Sequence, residues 1–450
     1  MDPDDPERMH FIDSLWMDLD TGDAPIAVGA VLEFSGRAPA IGRVRQRIAE
    51  VMPIAARLRQ VPVHSRTGVL QPKWADADPD LSVHVTRETV TSLGAAVSAI
   101  MSRPMPDDRP LWDLTLVTGY TPREWALVWR LHHSIADGEG VTLLVGRTLD
   151  MIPEGGETLT DWMVAQALAM RPEPDAATEE EEASPADRAL AFARSTVEQV
   201  AETAVRTPAT VRGLLRLTPT PPSELSGEPV PGRDWRVLHL SLAEVKRAGK
   251  ANGATINDVL MAAVAGGFRE VLLANGNDPA GRVVRAVMPV SLRRPGDARS
   301  NNQVSMIPVE LPVGEADPHT RLGEVVRQTR AGKKSMVPAV VGAMNSAMDK
   351  LLPQPLAEQI VPRVGWAFGW VSDTLVTNVR GPNEPLFFLG TEVRYLSPII
   401  PIGTTLRTVV GINSYNGSVN VSVTGDSAHS RDDRVLLDGI ALTVDMLQPQ

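Results

Sequence analysis

Trp125-Ala126-Leu127-Val128-Trp129-Arg130-Leu131-His132-His133-Ser134-Ile135-Ala136-Asp137-Gly138 reads as a strand that carries two histidines to its C-terminal end. Side chains on a strand alternate between faces, so Trp125, Leu127, Trp129, Leu131 and His133 share one apolar face and His132 points the other way. Gly138 suggests a tight backbone turn into a following helix, read over Val141 to Ile152. An imidazole at such an edge titrates near neutrality and can serve as a general base. The residues alone also admit a structural histidine pair. A zinc site fits less well, because adjacent strand residues diverge and no third ligand follows at a recognisable spacing. The chain has no Gly-x-Ser-x-Gly and no Gly-x-x-x-x-Gly-Lys-Ser/Thr, so nucleophile-elbow and P-loop chemistry are excluded.

Outward from this strand, residues 24–34 and Trp112 to Val117 read as further strands. Ile41 to Val51 reads as a helix stopped by Pro53. Pro172 to Ser184 contains Glu179-Glu180-Glu181-Glu182 between prolines and is expected to be a solvated loop. Ser184 then caps a helix whose apolar stripe is Leu190, Ala193, Val197, Val200 and Ala204, ended by Pro208. Pro219 to Pro231 reads as a linker. Beyond it, Val237 to Leu242 is a strand. Thr255 to Ala274 is a helix with Thr255 capping and Asp258 at the third position; Asn275-Gly276 closes it. Ala262, Ala263, Ala265, Gly266 and Gly267 give that helix a small-residue surface suited to close packing. Val283 to Val290, Gln303 to Leu311, Leu375 to Val379, Val409 to Ser414 and Ser418 to Val423 read as strands. This mixture predicts an α/β class with α+β mixed sheets. It divides the chain into 1–170, a connecting region 171–232, and 233–450.

The 450 residues are 43% hydrophobic and 22% charged, which suits a large core. A net charge of -11 argues against nucleic acid as a partner and against polybasic attachment to anionic lipid. The absence of cysteine excludes disulfides and thiolate chemistry. The acidic start shows no signal-peptide pattern, and no apolar run reaches bilayer-spanning length. A cytoplasmic location is expected, with weak peripheral contact to a membrane or lipid droplet at most. Arg206, Arg212 and Arg216 form a basic flank expected to be merely solvated.

The pattern His132-His133-x-x-x-Asp137-Gly138 resembles that of the coenzyme A-dependent acyltransferases related to chloramphenicol acetyltransferase, and non-ribosomal peptide condensation domains share it. Further motifs narrow the resemblance: Pro110-Leu111-Trp112, Gly253-Ala254-Thr255-Ile256-Asn257-Asp258-Val259, Met288-Pro289-Val290-Ser291-Leu292-Arg293, Thr377-Asn378-Val379-Arg380-Gly381-Pro382 and Ser414-Tyr415-Asn416-Gly417. Their order and spacing, from Asp13 to Asp433, are similar to those of the bacterial wax ester synthase/diacylglycerol acyltransferase family. Arg380 departs from the family's usual proline, and the acidic loop is not a family feature.

The resemblance implies two chloramphenicol acetyltransferase-like halves around a central channel. It implies acyl-CoA as co-substrate with no other cofactor and no metal. The acceptor would be a fatty alcohol or a diacylglycerol. His133 would be the general base, within a motif that includes His132, Asp137 and Gly138. Asn257, Asp258, Asn378 and Trp112 are candidate substrate contacts, although Asn257 and Asp258 also suit a helix start, Asn378 a turn and Trp112 a core. Asp137 would turn away from the substrate and pair with Arg293. The Gly138 N–H and the Asn257 side chain are candidate oxyanion donors. Two alternatives stay open: a different acyl transfer on the same fold, of the condensation or polyketide-associated type, and a non-catalytic lipid-binding protein.

Overall fold

The computed structural model describes residues 9, 11–20, 25–63, 72–169, 223–291, 304–332, 372–403 and 405–449. In chain order the elements are α1 (Phe11–Leu19), β1 (Ala27–Ser35), α2 (Ile41–Val51), β2 (Gln60–Val63), β3 (Lys73–Asp76), α3 (Leu81–His84), β4 (Val85–Thr89), α4 (Leu93–Met101), β5 (Trp112–Thr121), β6 (Glu124–His132), α5 (Gly138–Gly146) and α6 (Leu159–Ala169). They continue with β7 (Arg233–Ser241), α7 (Leu242–Ala251), α8 (Ile256–Ala274), β8 (Val284–Ser291), β9 (Val304–Leu311), α9 (Pro318–Gly332), β10 (Thr374–Arg380), β11 (Phe387–Phe388), β12 (Thr391–Ile399), β13 (Thr408–Tyr415), β14 (Ser418–Asp426) and α10 (Ser430–Met446). The expected acidic loop at 172–184 and the helix at 184–208 lie outside the described residues. Among those described, no helix is long and apolar enough to cross a membrane.

Two mixed six-stranded sheets organise these elements, in the orders β11-β12-β1-β6-β5-β4 and β7-β14-β13-β10-β8-β9. β6 is central to the first, antiparallel to both β1 and β5. Every residue from Trp125 to His132 is buried, because both faces of the sheet are covered. Trp125, Leu127, Trp129 and Leu131 pack against Val44 and Ile48 of α2 and Val141, Leu144 and Val145 of α5. Ala126 and Val128 pack on the opposite face with Val97 and Ile100 of α4. The period-2 reading therefore holds from Trp125 to Leu131, but the strand ends at His132, so the alternation does not extend to His133. The helix after the strand differs from expectation. It begins at Gly138 and ends at Gly146, because Asp150 leaves to exchange backbone hydrogen bonds with Phe387 at 2.8 and 2.9 Å.

The second lobe has its own core, centred on α8. Its small-residue face lies against α10: a Cβ at Gly439 would stand 2.8 Å from Gly267 Cα. Glycine at both positions lets the two helix backbones approach this closely.

The lobes interleave. β12 belongs to the late part of the chain, yet it pairs with β1 of the first sheet, Gly29 opposite Ile399 and Leu32 opposite Leu396. β7 is the edge of the second sheet, and α4 of the first lobe covers it. The Arg233 and Trp235 N–H groups donate to Ser102 Oγ and Ser98 Oγ at 2.8 and 2.9 Å. Two residues along a strand rise about 6.6 Å and four along a helix about 6 Å, so the hydroxyl spacing matches the amides.

Candidate active site

The histidine motif sits where β6 ends. The strand stops at His132 and the chain turns through residues 133–135. Asp137 caps α5: its Oδ1 accepts the Gly140 N–H at 2.7 Å, and it is 1% exposed. The tight turn expected at Gly138 falls earlier, at residues 133–135. Gly138 is the first residue of α5 and is not among the glycines with positive φ. A Cβ there would meet Val379 Cγ2 at an ordinary 4.0 Å. That contact brings β10, from the second lobe, beside the motif.

The two histidines have different surroundings. His132 is 3% exposed. Its Nδ1 accepts the Ser134 N–H at 3.1 Å and lies 2.7 Å from Ser134 Oγ. A backbone N–H can only donate, so Nδ1 is the acceptor nitrogen and the ring proton sits on Nε2. Nε2 faces Asp20 Oδ2 at 3.2 Å. The same carboxylate oxygen accepts the Ile26 N–H at 3.2 Å, and the Ile26 carbonyl accepts the His133 N–H at 2.9 Å. One carboxylate thus ties the chain before β1 to the chain after β6. His133 is half-buried with Nδ1 enclosed. Its ring lies on the Trp16 indole, centroids 4.3 Å apart and planes 20° from parallel.

On the second-lobe side, Asn378 Nδ2 donates to Asn257 Oδ1 at 3.0 Å, so the structure brings these two candidates together. Asp258 is committed to structure. Its Oδ2 accepts the Thr255 N–H and Oγ–H at 2.9 and 2.7 Å in a capping box, and its Oδ1 accepts Thr329 Oγ–H at 2.7 Å. Trp112 is in the core: 2% exposed, its indole N–H donates to the Leu58 carbonyl at 2.8 Å and its ring stacks on His84. Arg293 lies outside the described residues. Arg380 is exposed at the end of β10.

Trp16 and Asp20 were not singled out from the sequence. The signal available was the spacing Asp13, Trp16, Asp20, which is i, i+3, i+7 on a helix. Among the described residues no cluster of three or more His, Asp or Glu is arranged to hold a metal ion.

Comparison with known proteins adds a family. Residues 9–260 match the model of the wax ester synthase/diacylglycerol acyltransferase catalytic domain, and residues 300–448 match that of the WS/DGAT C-terminal domain. A Mycobacterium tuberculosis protein named probable diacylglycerol O-acyltransferase is 28% identical over 423 residues, covering 89% of this chain and 86% of that protein. The solved wax ester synthase/diacylglycerol acyltransferase of Marinobacter aquaeolei VT8 superposes with a TM-score of 0.69 at 20% identity, covering 98% of each chain. The first condensation domain of the calcium-dependent antibiotic synthetase reaches 0.59 at 19% identity over 98% of this chain and 95% of that one. That likeness is one of fold, the two-lobed chloramphenicol acetyltransferase-like architecture.

Proposed function

The chain belongs to the wax ester synthase/diacylglycerol acyltransferase family, and on that premise we propose that this acyltransferase moves a long-chain acyl group from acyl-CoA to a diacylglycerol, a fatty alcohol or both, with His133 as general base. The observation that carries the assignment of the base is the contrast within the motif. His132 has both ring nitrogens engaged by Ser134 and Asp20, whereas His133 is only half-buried, in the turn that leads into α5, whose first residue Gly138 lies near Val379 of β10.

In this reading the acceptor hydroxyl gives its proton to His133 Nε2 as its oxygen attacks the thioester carbonyl. The tetrahedral intermediate collapses with loss of the coenzyme A thiolate, which takes the proton back from the imidazolium. No acyl-enzyme is formed. Proton transfer of this kind contributes about 10²–10⁴-fold, and holding both substrates in register contributes more. The Gly138 N–H and the Asn257 amide, oriented by Asn378, are the donors assigned to the oxyanion. Asp137 keeps a structural role as helix cap, and the family resemblance implies that it also pairs with Arg293. Acyl-CoA enters as co-substrate, and no metal or other cofactor is invoked.

The test follows free thiol with palmitoyl-CoA and either dioleoylglycerol or hexadecanol. Wild type should release thiol with at least one acceptor, and His133→Ala should lose nearly all turnover at an unchanged melting temperature. Normal turnover in that variant would remove His133 from the mechanism.

A further inference from the structure

Asp13, Trp16 and Asp20 lie along one line of α1 and its C-terminal extension, and each meets a different part of the first lobe. Asp13 is fully buried beside the guanidinium of Arg57. Burial pulls that guanidinium down and the Asp13 charge holds it up; Arg57 in turn lies over the Trp74 ring at 4.5 Å. Asp20 grips His132 and the Ile26 N–H. Between these two anchors, Trp16 presents the face of its indole to the face of the His133 imidazole. Just before the helix, the Met9 N–H donates to the Pro72 carbonyl at 3.0 Å, fixing the start of this segment next to β3. α1 is thus held at both ends, and what it holds in the middle is the ring assigned to proton transfer.

We propose that Trp16 is a positioning residue of the acyl transfer, fixing the plane of the His133 imidazole and stabilising the imidazolium that forms when the acceptor hydroxyl is deprotonated. This rests on the reading of His133 as base. Two physical arguments carry it. The torsion between Cβ and an imidazole ring is soft, so an uncovered ring at the end of a strand samples many tilts. A stacked indole removes most of them before substrate arrives, and misplacing a reacting group by about 1 Å can cost about 10²-fold in rate. An indole face also attracts a cation more strongly than any other aromatic, worth about 0.5–1 kcal/mol where water has access. The charged imidazole exists only part-way through the reaction, so that attraction acts on the transition state rather than on bound substrate. It follows that removing the indole lowers the proton affinity of the imidazole. The acid limb of the rate profile, set by the base having to be deprotonated, then moves to lower pH by about half a unit.

The experiment measures kcat and KM for acyl-CoA across the titration range of imidazole, using the acceptor that wild type turns over. The proteins are wild type, Trp16→Leu, Trp16→Phe and His133→Ala. We expect Trp16→Leu to lower kcat by at least about tenfold with KM within about twofold, and to move the acid limb down by about half a unit. Trp16→Phe should recover most of kcat, because a flat face remains. If Trp16→Leu does not fold, fluorinated tryptophan incorporated at all nine positions keeps the shape and weakens the ring's negative face, and the limb should still move down. A wild-type kcat and limb in Trp16→Leu, a loss confined to KM, or an unmoved limb in the fluorinated protein would each overturn the proposal. Turnover in His133→Ala would instead sink the reading of the base, so the two failures are told apart.

Discussion

His132 and His133 share a peptide bond, but removing their rings should have different consequences. His132 is enclosed with donors and acceptors on both nitrogens, so His132→Ala takes away the group that faces Asp20 and empties a buried site. The expected loss is about 1–3 kcal/mol of stability, together with a lower rate because the Ile26 and His133 backbones are no longer clamped. Thermal melting of His132→Ala beside His133→Ala checks this; equal melting temperatures would contradict it. A second residue-scale prediction concerns Asp433, fully buried with Oδ1 accepting Thr408 Oγ–H at 3.0 Å. Burial, with Asp234 and Asp426 nearby, pushes its carboxyl up to about 8. The folded protein therefore holds a proton that the unfolded chain releases near pH 4. Stability from this group is complete below about pH 4 and is lost progressively as pH rises to about 8. Asp433→Asn should flatten the fall in melting temperature over that window and leave the variant more stable than wild type at its upper end. Parallel curves for the two proteins would refute the assignment. Alternation along β6 was readable in the sequence as far as His132, but it does not reach His133, which lies in the turn after the strand. The tie from His132 to Asp20 was not readable, since it joins residues far apart in the chain and depends on the register of β1 against β6.

Among the elements, α8 was the most legible, because a capping box is local chemistry: Thr255 and Asp258 stand three residues apart and satisfy each other's backbone. Its small-residue face was legible too, although the partner helix was not. That partner is α10, and the contact predicts a cost. Adding a methyl at Gly439 drives it against Gly267 Cα at 2.8 Å and Glu270 Cγ at 3.0 Å. Gly439→Ala should lose about 1–3 kcal/mol through overpacking, despite alanine's better helix propensity. Chemical denaturation measures it, and a stabilised variant would mean the helices can move apart at no cost. α5 and α1 were harder to read. α5 ends early because Asp150 finds a strand partner more than 200 residues later. α1 is only nine residues long and is held by tertiary contacts rather than by propensity.

At the scale of the molecule, the two-lobed plan could be expected from the order of motifs, whereas the exchange between lobes could not. Nothing in Thr391 to Ile399 names its sheet; only the pairing with β1 does. The lobes are also joined where α4 covers the edge of β7. Replacing Ser98 and Ser102 together by alanine removes both acceptors from the Arg233 and Trp235 amides and leaves them to find water or stay unmade. Amide hydrogen exchange should quicken at residues 233 and 235 and remain unchanged in the α8–α10 core; uniform acceleration, or none, would show that the serines do not hold the lobes together.

The late arrival of β12 bears on how the protein is made. A ribosome releases β1 and β6 long before residues 391–399 exist, so the sheet beneath the histidine turn has an unfilled edge through most of synthesis. That edge is β1, Ala27 to Ser35, nearly all of it apolar. Such an edge pairs readily with neighbouring nascent chains. Truncations that stop short of residue 399 should therefore aggregate or be captured by holdase chaperones, and the histidine turn should acquire its final form only when nearly the whole polypeptide has left the exit tunnel.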